Sequence, residues 1–170
     1  MSPRATGNID GPVMQVDTAY TFTGNNIDND GKQIQANMIA YGITKFPAQQ
    51  AVMALTIGGY SDWYIPSKYE MEILYRALKP TTTNNNTVAG ANPYAVPTAT
   101  VKYTNPARTA LTDFRPAGTN FMTADFYYTA TQGPSGTAYC HAKRFTNGAD
   151  GEDLMEYDYP VRAIRRVEIK

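Results

Sequence analysis

Cysteine, histidine and tryptophan are nearly absent: 170 residues contain one of each, Cys140, His141 and Trp63. A lone cysteine excludes an intrachain disulfide, so the fold must rest on a packed core, and it suits a reducing compartment. It also excludes a structural zinc site, which needs several cysteine and histidine ligands. Any Ser-His-Asp or Cys-His arrangement would have to be built on His141. Its neighbour Cys140 cannot pair with it, because adjacent side chains on a strand project to opposite faces; Cys140 reads as a small packing residue. An excess of either charge is missing too, with 15 basic residues against 15 acidic ones. That balance gives no long-range attraction to nucleic acid or an anionic membrane. No apolar run approaches the ~18 residues of a membrane helix. Met1–Asp10 holds Pro3 and Arg4 but no apolar signal segment, which predicts synthesis in the bacterial cytoplasm with no signal peptide.

What the sequence does have is apolar bulk and clear punctuation. With 42% hydrophobic residues the chain can bury one core without metals or disulfides. It reads as one domain, residues 12–170, behind a polar arm, residues 1–11, expected to dock on a neighbouring subunit. The domain is organised around Gly58–Leu78. Gly58-Gly59 breaks the chain, Asp62-Trp63-Tyr64-Ile65 is a short strand ended by Pro66, and Ser67 opens a helix. Ser67 and Glu70, three residues apart, form a capping box. Behind it Met71, Leu74, Tyr75 and Leu78 recur at helical spacing, one stripe to bury. Trp63 is expected to fill the space between helix and sheet, its indole N–H bonded, rather than to stack on a ligand.

Pro12–Thr23 reads as one or two strands, Asn25–Gly31 as a turn and Lys32–Ile43 as another strand. Asn26, Asp28, Asp30 and Gly31 imitate the opening of a calcium loop, but its twelfth position is Asn37 instead of a bidentate glutamate, which favours a plain polar turn. Pro47 starts a second helix where a missing amide hydrogen matters least, with Ala48, Ala51, Val52 and Leu55 as its stripe. From Lys79 to Gly118 the chain becomes a long insertion rich in Thr, Asn and Pro. Loops well beyond ~15 residues inside a compact domain are functional or disordered. Tyr94 and Tyr103, with Asn92 and Asn105, offer the adaptable contact chemistry of antibody paratopes and are the candidate ligand or partner contacts. The alternative is an insertion that only covers the core or a neighbour. Phe121–Thr131, Thr137–Phe145 and Glu156–Ile169 complete an antiparallel meander, separated by turns at Gln132–Gly136 and Asn147–Gly151. Arg165 shares a strand face with Val161, Ala163, Val167 and Ile169, so it needs a carboxylate, and Asp62 or Glu70 is expected to supply it. Asp150, Glu152, Asp153, Glu156 and Asp158 read as a solvated acidic turn. No metal or other cofactor is expected, calcium being the one candidate to weigh.

The run Gly58-Gly59-Tyr60-Ser61-Asp62-Trp63-Tyr64-Ile65-Pro66-Ser67, with Glu70 and the Leu74-Tyr75 helix behind it, resembles the signature of the Lcl C-terminal adhesin-like domains. These belong to the wider C-type-lectin-like and formylglycine-generating-enzyme-like fold. Ala48–Ile57, Phe126–Thr131 and Val161–Arg165 match the flanking pieces in order, so the resemblance runs from Phe46 to Val167. It implies an α+β, C-type-lectin-like domain in which two helices pack on one side of a curled antiparallel β-sheet. Asp62, Trp63, Pro66, Ser67, Glu70 and Arg165 would be its structural motif. Formylglycine-generating relatives use a reactive cysteine pair, so that activity does not carry over to a chain with one cysteine. The sugar-binding tripeptide of calcium-dependent lectins is absent as well. The resulting expectation is a non-enzymatic structural or recognition protein of a bacteriophage virion, decorating the capsid or forming part of a tail or fibre. Its partners would be other virion proteins or further copies of itself and, in receptor binding, a host-surface glycan or protein. A bacterial adhesin or glycan-binding module is the rival reading, and an enzyme of the formylglycine-generating-like superfamily the third.

Overall fold

The structure, a computed structural model, describes residues 1–10, 13–85, 107–123 and 126–167. These form an α+β fold with helices α1 (Arg4–Gly7), α2 (Gly31–Gly42), α3 (Pro47–Met53) and α4 (Lys68–Leu78). Its strands are β1 (Asn8–Ile9), β2 (Phe126–Gln132), β3 (Tyr139–Arg144), β4 (Asp150–Leu154) and β5 (Val161–Arg162). β2, β3 and β4 make an antiparallel meander in that order, and β1 pairs with β5 in a separate two-stranded ribbon. Tyr128 lies opposite Ala142, and His141 opposite Glu152.

Strand alternation decides where the helices sit. Tyr128, Ala130, Cys140 and Ala142 point to one face, where they pack with Ile34 and Met38 of α2, Ala48 and Val52 of α3, and Trp63. Tyr127, on the opposite face, joins Phe145 and the α4 residues Met71 and Tyr75. Tyr127 and Tyr128 are both 0% exposed, so the sheet is covered on its two sides. This corrects the expectation that the helices of Pro47 and Ser67 share one side: α3 and α4 lie on opposite faces.

The turn and cap chemistry around α4 is as the sequence predicts. Gly58 and Gly59 hold φ of +61° and +80°, the paired left-handed conformation of a two-residue hairpin, and Ile57 and Tyr60 exchange both backbone hydrogen bonds across it. Ser67 and Glu70 form the capping box. Trp63 is 5% exposed and its Nε1–H donates to the Tyr60 carbonyl at 2.9 Å.

Four strand expectations are corrected. Residues 62–65 form no strand and make only one isolated bridge, Tyr64 to Ile164. Lys32–Ile43 is helical, because Asp30 caps α2 by accepting from the Gln33 amide at 3.0 Å and Ile34 and Met38, four apart, are both buried. Residues 13–23 form no strand among those described. Met14 and Gln15 donate to the Met155 carbonyl and Val16 to that of Lys45, so their bonds go to separate segments instead of one ladder. Glu156–Ile169 shrinks to β5 and a single bridge from Ile164 to Tyr64. Val161 to Ile164 are buried without alternation, while Val167 is exposed, so the period-two face proposed for Arg165 does not exist. Asp150, Glu152 and Asp153 of the acidic stretch lie on strand β4, with Glu156 and Asp158 exposed beyond it, since the reversal closes earlier, with Gly148 N–H bonded to the Arg144 carbonyl and Arg144 N–H to that of Ala149.

Met1–Asp10 lie against their own chain. Ser2 N–H donates to Ala163, Ala163 N–H to Gly7, and β1 pairs Asn8 with Arg162 and Ile9 with Val161. Arg4 bonds the Phe121 carbonyl at 3.1 Å and sits 4.5 Å from the centre of that ring.

Candidate functional site

The Gly58–Leu78 motif is built as a structural junction. Glu70 Oε2 accepts from the Gly31 and Ser67 amides, each at 2.9 Å, and from the Ser67 hydroxyl. Its Oε1 accepts from Tyr64 Oη–H and from Arg166. Arg166 also pairs with Asp30, the cap of α2, so one carboxylate ties two helix starts to the end of the described chain. This occupies Asp30, the carboxylate at the fifth position of the imitation calcium loop. Arg165 makes the expected pair with Asp62, through Nε at 2.8 Å and Nη2 at 3.2 Å. Its guanidinium also lies 3.6 Å from the centre of the half-exposed Tyr60 ring. The ion pair holds the Asp62 carboxyl below its ordinary value. Arg165 was expected in the apolar layer; the buried arginine is Arg162, 0% exposed, whose Nε and Nη2 donate to the Ser2 carbonyl.

Tyr94, Tyr103, Asn92 and Asn105 lie outside the described residues. The root of their insertion is described. Thr109 N–H donates to the Lys79 carbonyl at 2.9 Å, joining the two ends. Lys79 is buried, which lowers its ammonium pKa, and its Nζ is bonded to the Thr83 carbonyl and to Asn85 Oδ1. Tyr75 Oη–H donates to the same Asn85 oxygen, Thr81 bonds the Thr146 carbonyl, and Arg115 bonds the carbonyls of Thr109 and Ala110. The two described ends of the insertion are therefore joined at one hydrogen-bonded root just past α4.

The face of the meander beneath α4 carries a second grouping. Lys143 Nζ lies 2.5 Å from both Glu72 of α4 and Asp150 of β4 and is almost wholly buried. Two residues back on β3, His141 stands opposite Glu152. His141, Asp150, Gly151, Glu152 and Pro134 line a cavity of about 330 Å³. Glu152 folds back over the Gly133–Gly136 turn and accepts from the Ser135 amide and hydroxyl. A β-carbon on Gly133 would meet the Glu152 carboxylate at 2.5 Å, so a larger residue there would displace that carboxylate. Burial pushes the Glu152 pKa up, but the two Ser135 bonds and His141 outweigh it and the carboxyl stays below its ordinary value. Burial and Lys68 lower the His141 pKa against the pull of Asp150, Asp28 and Glu152, favouring the neutral ring. Its Nδ1 is shut off from solvent with no hydrogen-bond partner. Cys140 points to the opposite face, fully buried, where desolvation pushes its thiol pKa well up. The two residues are thus separated by the sheet, as the strand argument requires.

No group of three or more His, Cys, Asp or Glu side chains among the described residues is arranged to hold a metal ion. No family model, curated protein or solved structure matches this chain. Sequence reasoning missed Glu72, Lys143 and Arg166. The signal for Lys143 and Glu152 was the tight turn at Asn147-Gly148, which sets β3 against β4 and places 143 opposite 150 and 141 opposite 152.

Proposed function

We propose that this chain is a non-enzymatic assembly or recognition module with a C-type-lectin-like fold, serving in a bacteriophage particle as a capsid-decorating, tail or fibre component. The observation that carries the reading is the single hydrogen-bonded root at Lys79 and Thr109, from which the Thr/Asn/Tyr/Pro-rich insertion leaves a domain with two cores. Rigid scaffolds presenting long variable loops are the usual architecture of recognition surfaces. The chemistry agrees: the one thiol is buried and protonated, and the one imidazole lies across the sheet from it, so they cannot act together. The resemblance of Gly58–Ser67 to adhesin-like domains points the same way, although a fold alone does not assign function. Partners would be other virion proteins or copies of this chain, with a host-surface glycan or protein engaged through Tyr94 and Tyr103.

The test replaces residues 86–106 with a short Gly-Ser linker. The expected result is an unchanged circular dichroism spectrum and melting temperature, with loss of co-sedimentation with virions or of self-association measured by light scattering. Association that survives the replacement would overturn the role given to the insertion.

A further inference from the structure

We propose that Lys143 and Asp150 become joined by an amide bond inside the folded chain, Nζ to Cγ, with Glu72 carrying the proton and water as the leaving group. Lys143 of β3 stands directly opposite Asp150 of β4 on one side and Tyr127 of β2 on the other. Above them α4 brings in Glu72. Lys143 Nζ lies 2.5 Å from Glu72 Oε2 and 2.5 Å from Asp150 Oδ1, closer than the about 2.7–2.9 Å of a charged N–H···O bond. The carbon to be attacked, Cγ, is at most one bond length farther than Oδ1, so amine and carboxyl are in contact without any rearrangement. Reactants held in this way behave as if at ~10⁵–10⁸ M, which offsets the cost of condensing an amine with an acid in water.

The surroundings set this triad apart from an ordinary ion pair. The side chains of Lys143 and Glu72 are 2% and 3% exposed, and Tyr75, Tyr127 and Phe145 of the second core are wholly buried, the Tyr75 ring centre 5.7 Å from Nζ. In an apolar setting a neutral amine and acid compete with an ion pair. Amide formation then removes one charge of each sign, whose desolvation the pairing repays only in part. The step balances without any added reagent. One proton passes from the Lys143 ammonium to the Asp150 carboxylate, leaving amine and acid. The nitrogen lone pair forms the C–N bond at Cγ, Glu72 takes the second proton from nitrogen and gives it to the departing hydroxyl, and the C–O bond breaks to release water. Glu72 ends as it began. Asp150, 13% exposed, also lines the cavity beside His141, which gives the released water an exit, while α4 covers the amide against hydrolysis.

The test is the mass of the full chain, denatured after prolonged incubation in its folded state at neutral pH, followed by a tryptic map. The expected mass is one water below that of the sequence. Trypsin, cutting at Arg108, Arg144 and Arg162 but not at the acylated Lys143, should release a branched peptide joining residues 109–144 to 145–162. Glu72→Gln should keep the full mass of its sequence with an unchanged circular dichroism spectrum, and a variant that links as fast as the parent would remove Glu72 from the step. Should Glu72→Gln not fold, Asp150→Asn provides the second check: it should yield the same branched product, losing ammonia in place of water. A folded parent chain that retains its full mass and is cleaved at Lys143 would overturn the proposal. So would a lost water accompanied by hydroxylamine cleavage at Asp150-Gly151 and normal cleavage at Lys143, since that pattern is a succinimide and not a cross-link.

Discussion

Lys143 is the residue on which burial and charge bear most heavily. Its ammonium is 1% exposed, sits 2.5 Å from two carboxylates and donates to the Gly148 carbonyl at 3.2 Å. Desolvating three ionised groups costs more than an isolated pair recovers, but removing one member leaves the others charged and buried. Lys143→Ala should therefore lower the unfolding free energy by about 3–5 kcal/mol, the usual result of breaking a buried pair, read as a shifted urea midpoint. His141, on the same face, predicts a pH effect. Its folded pKa lies below the unfolded value of about 6.5, chiefly because burial disfavours the charged ring. Between those two values the unfolded chain binds the proton first, so stability rises with pH across that window and the contribution is lost as pH falls through it. Urea titrations from mildly acidic to neutral pH should show this slope, and His141→Gln should flatten it; an unchanged slope would remove the residue from the account.

Among the elements, α4 was the most legible and α2 the least. The Ser67 and Glu70 spacing, the stripe behind it and the Gly-Gly break are local signals, and the structure uses each as the sequence implies. Asn29-Asp30-Gly31 is equally a turn and a helix cap; choosing the turn hid α2, although Ile34 and Met38 stood at helical spacing. β5 falls inside the closing strand that the sequence predicts, but its extent and facing were misread for a different reason: Val161 to Ile164 are covered on both sides by long-range contacts, and such burial erases alternation. Arg165 was matched to its partner Asp62, whereas Arg166, which joins Asp30 to Glu70, depends on the chain's final approach and left no mark in the pattern. This ranks the two charged contacts of the motif. Glu70→Ala removes a cap together with bonds to Gly31, Tyr64 and Arg166, and should cost about 2–4 kcal/mol, beyond the ~1 kcal/mol of an ordinary cap. Arg165→Ala removes only a surface pair and its stacking on Tyr60, and its effect should be far smaller. Thermal melts of the two variants side by side check the order, and a larger loss for Arg165→Ala would contradict the central place given to Glu70.

At the scale of the whole molecule, the open question is whether Met1–Asp10 belongs to this domain or to an assembly. The composition of that segment predicts a docking arm, but its backbone is bonded to the closing segment of the same chain at Ser2, Gly7 and Ala163. Its removal would also strip the two bonds that Arg162 makes to the Ser2 carbonyl. Burial already pushes the Arg162 pKa down to about 10, so this guanidinium has little tolerance for losing acceptors. Two consequences follow for the isolated chain. Amide hydrogen exchange at Ser2 and Ala163 should be slowed together, since both are protected by the same local structure and open with it. Deleting residues 1–10 should destabilise the domain by several kcal/mol, of the order expected when a buried charge loses its partners. A chain whose Ser2 amide exchanges at the rate of an unfolded peptide, while Ala163 stays protected, would show the segment free in solution and return it to the role of an arm that orders on a neighbouring subunit.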